Sequence, residues 1–405
     1  MNITIFAAVD FPAGPATTSR IRHIAKILIA AGHDVTVGSL QANTKVPNPE
    51  NISVSGIHDG IRFVYLNGDT VRPSRLFEAV ADTLKGSIGA LTYLRKMKRE
   101  GRVDLVLYYT PDFFQILPSL LFAKLRRIPV VLELCEVNSA MRIASFKQRI
   151  RLLGAALTDR LLPRISSGVI VISSRIRHLL QGNGVSPTKI FHLPILVDYR
   201  VFSRQSATPL ISLSGKRYFL NSGALGEKDG VEYLLDAFAL ICRQHDDVYL
   251  VFTGEPDSRR KQQIMESARA SGIGEKVIFT GFLSNNQLIW SYQNAVGLLC
   301  CRNNSQYANY GSPNKLSEYL ATGRPVVTNQ VGDNNVYVIK NRNAFVANVE
   351  DHVSIAEQMH LILTRPDTAT MVGNEGQELA KRTFNYENYV TPLDSFLRVC
   401  ADFHN

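Results

Sequence analysis

Asn309-Tyr310-Gly311-Ser312-Pro313-Asn314-Lys315-Leu316-Ser317-Glu318-Tyr319-Leu320, continued by Ala321-Thr322-Gly323-Arg324-Pro325-Val326-Val327, reads as one helix with both ends marked. Ser312 suits the N-cap and Pro313 the first helical position. Gly323 suits the C-terminal cap, with Pro325 just beyond it. Leu316, Tyr319 and Leu320 share one face. Lys315 and Glu318, three residues apart, share another. The helix start offers backbone N–H groups and the positive end of the dipole, which favour a phosphate. Val326-Val327 then opens a buried strand. A loop, an anion-ready helix start, a lysine and a glutamate make a seat for a nucleotide diphosphate and its ribose.

On either side of this stretch short apolar runs alternate with helical segments. In the first half the runs are 3–9, 35–37, 103–109, 129–134, 168–172 and 189–193; the first helix begins near Ser19, after the loop 12–16, and ends at Gly32. In the second half they are 218–221, 248–252, 276–279, 296–300, 325–328 and 344–347, separated by amphipathic helices such as 231–244. Apolar, unalternating strands joined by helices predict parallel sheets covered on both faces. Between them, 196–214 is polar and without period, and reads as a link. The expectation is an α/β chain of two doubly wound, Rossmann-like domains facing a cleft. These would be residues 1–196, with a C-terminal helix at about 386–405 packing back on them, and residues 197–385.

The 405 residues suffice for two cores. The N-terminal apolar run is short, lacks a basic lead and stops at Asp10, unlike a signal peptide, and no apolar segment is long enough for a membrane helix. Five cysteines without ligand spacing read as buried thiols in a reducing cytoplasm. The net charge of +10 is uneven: residues 1–200 hold 26 Lys+Arg against 14 Asp+Glu, and the remainder 19 against 21. The excess clusters at 95–99, at 124–127 and between Arg142 and Arg151. The last cluster suits an amphipathic basic helix on an anionic membrane surface, or a solvated helix face. No aromatic platform or nucleic-acid motif accompanies the charge, so nucleic acid is not an expected partner. The expected location is cytoplasmic, peripheral on the inner face of the cell membrane.

Tyr218-Phe219-Leu220-Asn221-Ser222-Gly223-Ala224-Leu225-Gly226-Glu227-Lys228-Asp229-Gly230 is a strand with a glycine-rich turn, and Lys228 sits at the following helix start. Together with the Tyr310–Glu318 stretch, with Val248–Glu255 and Val277–Leu283, and with Ala31–Val37 and Val169–Ser173 in the first half, it resembles the GT-B nucleotide-sugar glycosyltransferases, in particular the retaining group called glycosyltransferase family four. The likeness covers nearly the whole chain.

The resemblance implies that Glu318 holds the ribose hydroxyls and that Lys228 neutralises the leaving diphosphate with N–H groups of Gly311 and Ser312. Phe282 and Leu283 would border the base, and Gly14 would lie beneath the donor sugar. Gly223, Ala224, Gly254, Arg302, Tyr310, Pro313, Asn314 and Lys315 would complete the donor site. Among the departures from the pattern are the loop Pro194-Ile195-Leu196-Val197-Asp198, where relatives often have Asn-Gly before the last two residues, and two donor-site positions. Tyr310 stands where the family has the first of its paired acids, and Ala224 stands where many relatives carry a basic residue, a charge Lys315 or Arg302 could replace. Glu133 and Glu136, at the end of a buried strand, could orient the acceptor hydroxyl or act as base, with Glu136 the catalytic candidate; either could instead cap or pair structurally. His23 and Trp290 read as structural.

The resemblance further implies a metal-independent, cofactor-free transfer from a nucleotide diphosphate sugar, UDP-sugar in the first instance, to a glycan or lipid-linked acceptor, with retained configuration. Surface polysaccharide or lipopolysaccharide biosynthesis is the setting. A non-catalytic nucleotide-sugar-binding partner subunit and a GT-B sugar-nucleotide epimerase are the alternatives.

Overall fold

The computed structural model describes residues 1–45, 48–137, 146–206 and 208–402, with the backbone alone at 146–152 and 227. The basic stretch from Arg142 to Arg151 therefore lies outside the described side chains. The chain divides into two compact units, Met1–Pro194 with Tyr386–Asn405, and Ile195–Asn385. Among the described residues no helix is long and apolar enough to cross a membrane.

The first unit holds strands β1 (Asn2–Ala8), β2 (Asp34–Gln41), β3 (Ser55–His58), β4 (Ile61–Tyr65), β5 (Leu105–Tyr109), β6 (Val130–Leu134), β7 (Gly168–Val171) and β8 (Ile190–His192). Their order is β3-β4-β2-β1-β5-β6-β7-β8. All pairings are parallel except β3 with β4. That hairpin was not expected from the apolar runs, because Ser55–His58 is mostly exposed. Its signal is Asp59-Gly60, where both residues have positive φ (49° and 77°), the backbone of a type I′ turn.

The first helix, Ala16–Ala30, starts ahead of Ser19. It buries Arg20, whose Nε meets Glu133 Oε1 at 2.6 Å while Nη1 and Nη2 donate to the carbonyls of Pro194 (2.5 Å) and Leu193 (2.8 Å). Glu133 is thereby a structural partner, fully buried at the end of β6. His23 is buried and stacks on Tyr386 at 5.4 Å, and His33 Nε2 meets Asp394 at 2.7 Å, so both tie the C-terminal residues to this unit.

The second unit holds β9 (Arg217–Ser222), β10 (Val248–Thr253), β11 (Val277–Phe279), β12 (Gly297–Cys300), β13 (Val326–Asn329) and β14 (Phe345–Ala347), all parallel, in the order β11-β10-β9-β12-β13-β14. Phe219, Leu250, Phe252, Leu299 and Val327 from the strands pack with Leu234, Phe238 and Met359 from the covering helices. The described part of 196–214, read as a link, belongs to this unit: Val197 N–H donates to Phe384 O at 2.8 Å and Ser206 N–H to Gln293 Oε1 at 2.9 Å. Trp290 is only half-buried; its neighbours Ile289 and Tyr292 supply the core contacts.

Candidate active site in the second unit

The second sheet reverses its winding between β9 and β12, and open α/β sheets bind ligands at the carboxyl ends of strands beside such a reversal. The turns after β9, β10 and β11 and the segment after β12 converge there. Gly223 N–H donates to Thr253 O and Gly254 N–H to Gly281 O, each at 3.0 Å. A Cβ on Gly254 would stand 2.5 Å from Gly223 O, at a φ of 99°. Side chains avoid that conformation. Gly254→Ala should therefore lower stability by about 1–2 kcal/mol and distort the Gly223 turn. Urea unfolding measures the first effect, and nucleotide binding on the folded variant the second.

The helix of the opening stretch runs Asn314–Ala321. Its N-cap is Pro313, extended at ψ 114°, so Ser312 lies one residue outside and provides no cap. Thr322 is the C-cap and Gly323 follows with φ 76°. From the first turn Lys315 reaches the end of β9. Its Nζ donates to Asp229 Oδ1 at 3.0 Å and to Asn221 Oδ1 at 3.5 Å, and it lies 3.6 Å from where a Gly223 Cβ would be. Lys315 and Asp229 are both largely shielded from solvent. Burial pushes Asp229 upward, but Lys315, Arg302 and the Gly226 N–H hold its carboxyl below the ordinary value of 3.8.

One turn on, Glu318 is half-buried and its carboxyl is pushed up to about 7 by burial, against the pull of Lys315 and the Tyr292 hydroxyl. Tyr292 Oη also lies 2.7 Å from Ser222 Oγ. Tyr319 Oη is 3.0 Å from the same oxygen and accepts the Ser222 N–H at 2.8 Å. These hydroxyls lock the helix to the end of β9.

Arg302, just after β12, is buried and turned toward backbone. Its Nη1 donates to the carbonyls of Ala308 (2.8 Å) and Gly311 (3.1 Å), so its fork holds the Tyr310 segment in place. Tyr310 itself closes a short helix, Gln306–Tyr310, where a plain loop was expected; Ser305 caps it by accepting the Ala308 N–H. Lys228 lies in the 3-10 turn Glu227–Asp229, one step before the helix Val231–Cys242 rather than at its start. Its Nζ sits 4.4 Å from the centroid of the Tyr307 ring. Ala224 is exposed, Phe282 is 85 % exposed and Leu283 is half-buried.

The structure thus gathers Gly223, Gly254, Arg302, Tyr310, Gly311, Lys315 and Glu318 in one unit, with Lys228 on the neighbouring turn. Gly14 and Glu136 belong to the other unit. Gly14 packs beside Thr18 and Asp10, whose carbonyl accepts the Thr18 hydroxyl at 2.6 Å, and Glu136 is half-buried just after β6. Sequence reading passed over Asn221, Asp229 and Tyr292. Asp229 lies beside Lys228 in the glycine turn, but nothing in the linear order pairs it with Lys315, 86 residues away. Among the described residues no group of three or more His, Cys, Asp or Glu could hold a metal ion.

Comparison with known proteins agrees with this architecture. Residues 16–195 match a glycosyl transferase 4-like domain and residues 207–379 match glycosyl transferases group 1. Spore coat protein SA of Bacillus subtilis (strain 168) is 24% identical over 375 residues, covering 90% of each chain. Among solved structures, sucrose-phosphate synthase from Thermosynechococcus elongatus superposes with a TM-score of 0.74 at 18% identity over 98% of both chains. Anabaena HepE in complex with UDP and glucose gives 0.70 at 13% over 98% and 99%. WaaG, a glycosyltransferase involved in lipopolysaccharide biosynthesis, gives 0.68 at 16% over 98% and 99%. With a 4-like domain followed by a group 1 domain on this double-sheet framework, the chain belongs to the glycosyltransferases of GT-B fold.

Proposed function

We propose that this protein is a retaining glycosyltransferase that moves a sugar from UDP-sugar to a glycan or lipid-linked acceptor in surface polysaccharide or lipopolysaccharide assembly. The observation that carries the reading is the placement of Lys315 Nζ against the bare Gly223 turn, with Glu318 one turn along the same helix. UDP is favoured over other nucleotides because HepE, of the same fold, was solved with it.

As the bond to the diphosphate breaks, the anomeric carbon becomes oxocarbenium-like and negative charge builds on the leaving group. Lys315 and Lys228 stabilise that charge with the backbone of Gly311 and Ser312. Asp229 holds Lys315 in position before the donor arrives. The Glu318 carboxylate accepts hydrogen bonds from both ribose hydroxyls. Arg302 acts on the Tyr310 segment through its carbonyls, as a positioning residue, and Phe282 and Leu283 border the base. The acceptor oxygen enters on the side the phosphate leaves, which retains configuration, and the leaving phosphate takes its proton. The role of Tyr310, in place of an acid, favours one second reading, a partner subunit that binds the nucleotide sugar and transfers nothing.

A thermal-shift panel of UDP, GDP, ADP, CMP and dTDP tests the donor site. A ligand binding only the folded state adds about 2.7 kcal/mol at a hundredfold excess over Kd. UDP should raise the melting temperature of the wild type and leave Glu318→Ala unmoved. No response to any nucleotide would refute the site. Binding of UDP-sugar without UDP release, with any acceptor, would select the partner-subunit reading.

A further inference from the structure

The helix Leu76–Arg99 of the first unit buries Asp82, Gly86, Ala90, Leu94 and Met97 on its inner face. Its outer face is apolar where a soluble surface helix would be polar. Phe77, Val80, Leu84 and Ile88 are 69, 54, 59 and 62 % exposed. Spaced by three and four residues, they fall on one narrow stripe. Continued toward the C-terminus, the same face carries Arg95, Lys98 and Arg99, all exposed. One acidic side chain of this helix reaches solvent, Glu78 in the first turn, where it lies 3.6 Å from Arg75 and away from the basic end.

The neighbouring helix Phe113–Leu125 repeats the pattern. Phe114, Leu121 and Leu125 are exposed at helical spacing, and Arg126 and Arg127 follow at its end. The two basic ends are adjacent, because the guanidinium groups of Arg95 and Arg126 both lie against the Phe122 ring, at 5.7 and 5.8 Å. Two side-by-side apolar stripes therefore share one basic border.

We infer that this face docks the protein on an anionic lipid bilayer, with the stripes entering the interface and the basic border meeting the head groups. An apolar stripe supplies partitioning that is independent of charge. The cationic border supplies attraction that only an anionic surface returns. Together they form the two-part signature of a helix lying in the plane of the interface. A second copy of the chain is the poorer occupant. Each end of the 76–99 helix is net basic, with Arg72 and Arg75 against Glu78 at one end and Arg95, Lys96, Lys98 and Arg99 against Glu100 at the other, so a two-fold pairing of stripes would set like net charges against each other. The assignment deepens the proposed transfer to a lipid-linked acceptor and to that extent rests on it, but the surface is separate from the donor residues, so the two fail separately.

The test is co-sedimentation of the full chain with large unilamellar vesicles. Vesicles of phosphatidylcholine containing about 30 % phosphatidylglycerol, an anionic content at which basic surfaces are attracted, are compared with pure phosphatidylcholine. We expect at least about tenfold tighter binding to the anionic vesicles, weakened by salt. Leu84→Glu with Ile88→Glu should abolish it, and Lys98→Glu with Arg99→Glu should remove the preference for anionic lipid. Both pairs of changes are on exposed positions. Circular dichroism melts and the UDP thermal shift should match wild type, which separates failure of the surface from failure of folding or of the donor site. Equal binding by the variants, or no vesicle binding by the wild type, would overturn the inference. So would a wild-type dimer that Leu84→Glu with Ile88→Glu splits into monomers.

Discussion

Lys315→Ala will lower kcat by about 10²–10³, the usual cost of removing one preorganised charge from a site where negative charge develops. The loss should appear in kcat more than in KM, because the charge on the diphosphate grows as the glycosidic bond breaks. The variant will also lose stability. Asp229 would keep a shielded carboxylate with its principal cation gone, a change expected to cost about 2 kcal/mol. A second substitution separates the two effects. Lys315→Ala with Asp229→Asn should recover most of the stability, since the remaining amide carries no charge, yet leave transfer as slow as in the single variant. If the double variant recovers activity together with stability, Lys315 is structural and its role toward phosphate is refuted. The pair also has a defined pH window. The native Asp229 carboxyl lies below its unfolded value of 3.8, so its contribution is present above that pH and is lost as pH falls through the depressed native value.

Glu318→Gln will raise stability at pH 8 by up to about 3 kcal/mol while weakening UDP binding by about tenfold or more. The carboxyl titrates at about 7 in the folded protein against 4.5 for the free side chain. A raised value means that the folded state favours the proton. The stabilisation is therefore complete below pH 4.5 and disappears as pH rises through 7. Glutamine imitates the protonated form at every pH, so wild type and variant should be nearly equal in stability at pH 4 and diverge above it. Denaturant unfolding across pH 4–8 measures this directly. The same native value predicts that UDP affinity of the wild type declines below pH 7, because a protonated carboxyl gives up one of its acceptor oxygens to the diol. A carboxylate kept in so unfavourable a place exchanges stability for function. A variant no more stable at pH 8 than the wild type would remove the basis for that view.

Several elements of this fold were legible in the linear order. The apolar, unalternating strands are those of a parallel sheet buried on both faces, and all six strands read from the second half are present within a residue or two of their expected bounds. The helix carrying Lys315 and Glu318 was visible from Pro313 and Gly323, although its start is one residue later than capping by Ser312 implies. The reason is local: Pro313 is extended and its carbonyl receives the Leu316 N–H at 3.0 Å. The β3–β4 hairpin was missed because its outer strand is short and exposed, so apolar periodicity is silent there, whereas Asp59-Gly60 marks the turn.

The candidate site divides along the same line. Gly223, Lys315 and Glu318 stand out by residue type and spacing, because a backbone turn that approaches a ligand needs glycine and a helix places residues three apart on one face. Their surroundings do not stand out. The partnership of Lys315 with Asp229 and Asn221, the Tyr292 and Tyr319 hydroxyls on Ser222, and the turning of Arg302 onto backbone carbonyls all join residues from different strands and helices. So does the committal of Glu133 to Arg20. The exposed stripe at Phe77, Val80, Leu84 and Ile88 is similar in kind, since an amphipathic helix can present either face to the core. Local geometry and periodicity are written in neighbouring residues, and the sequence alone therefore determined the α/β architecture and the helix that bears the two charged groups. Burial, and the charge pairing and proton affinity that follow from it, depend on what other segments bring to the same place, and only the tertiary structure decided those.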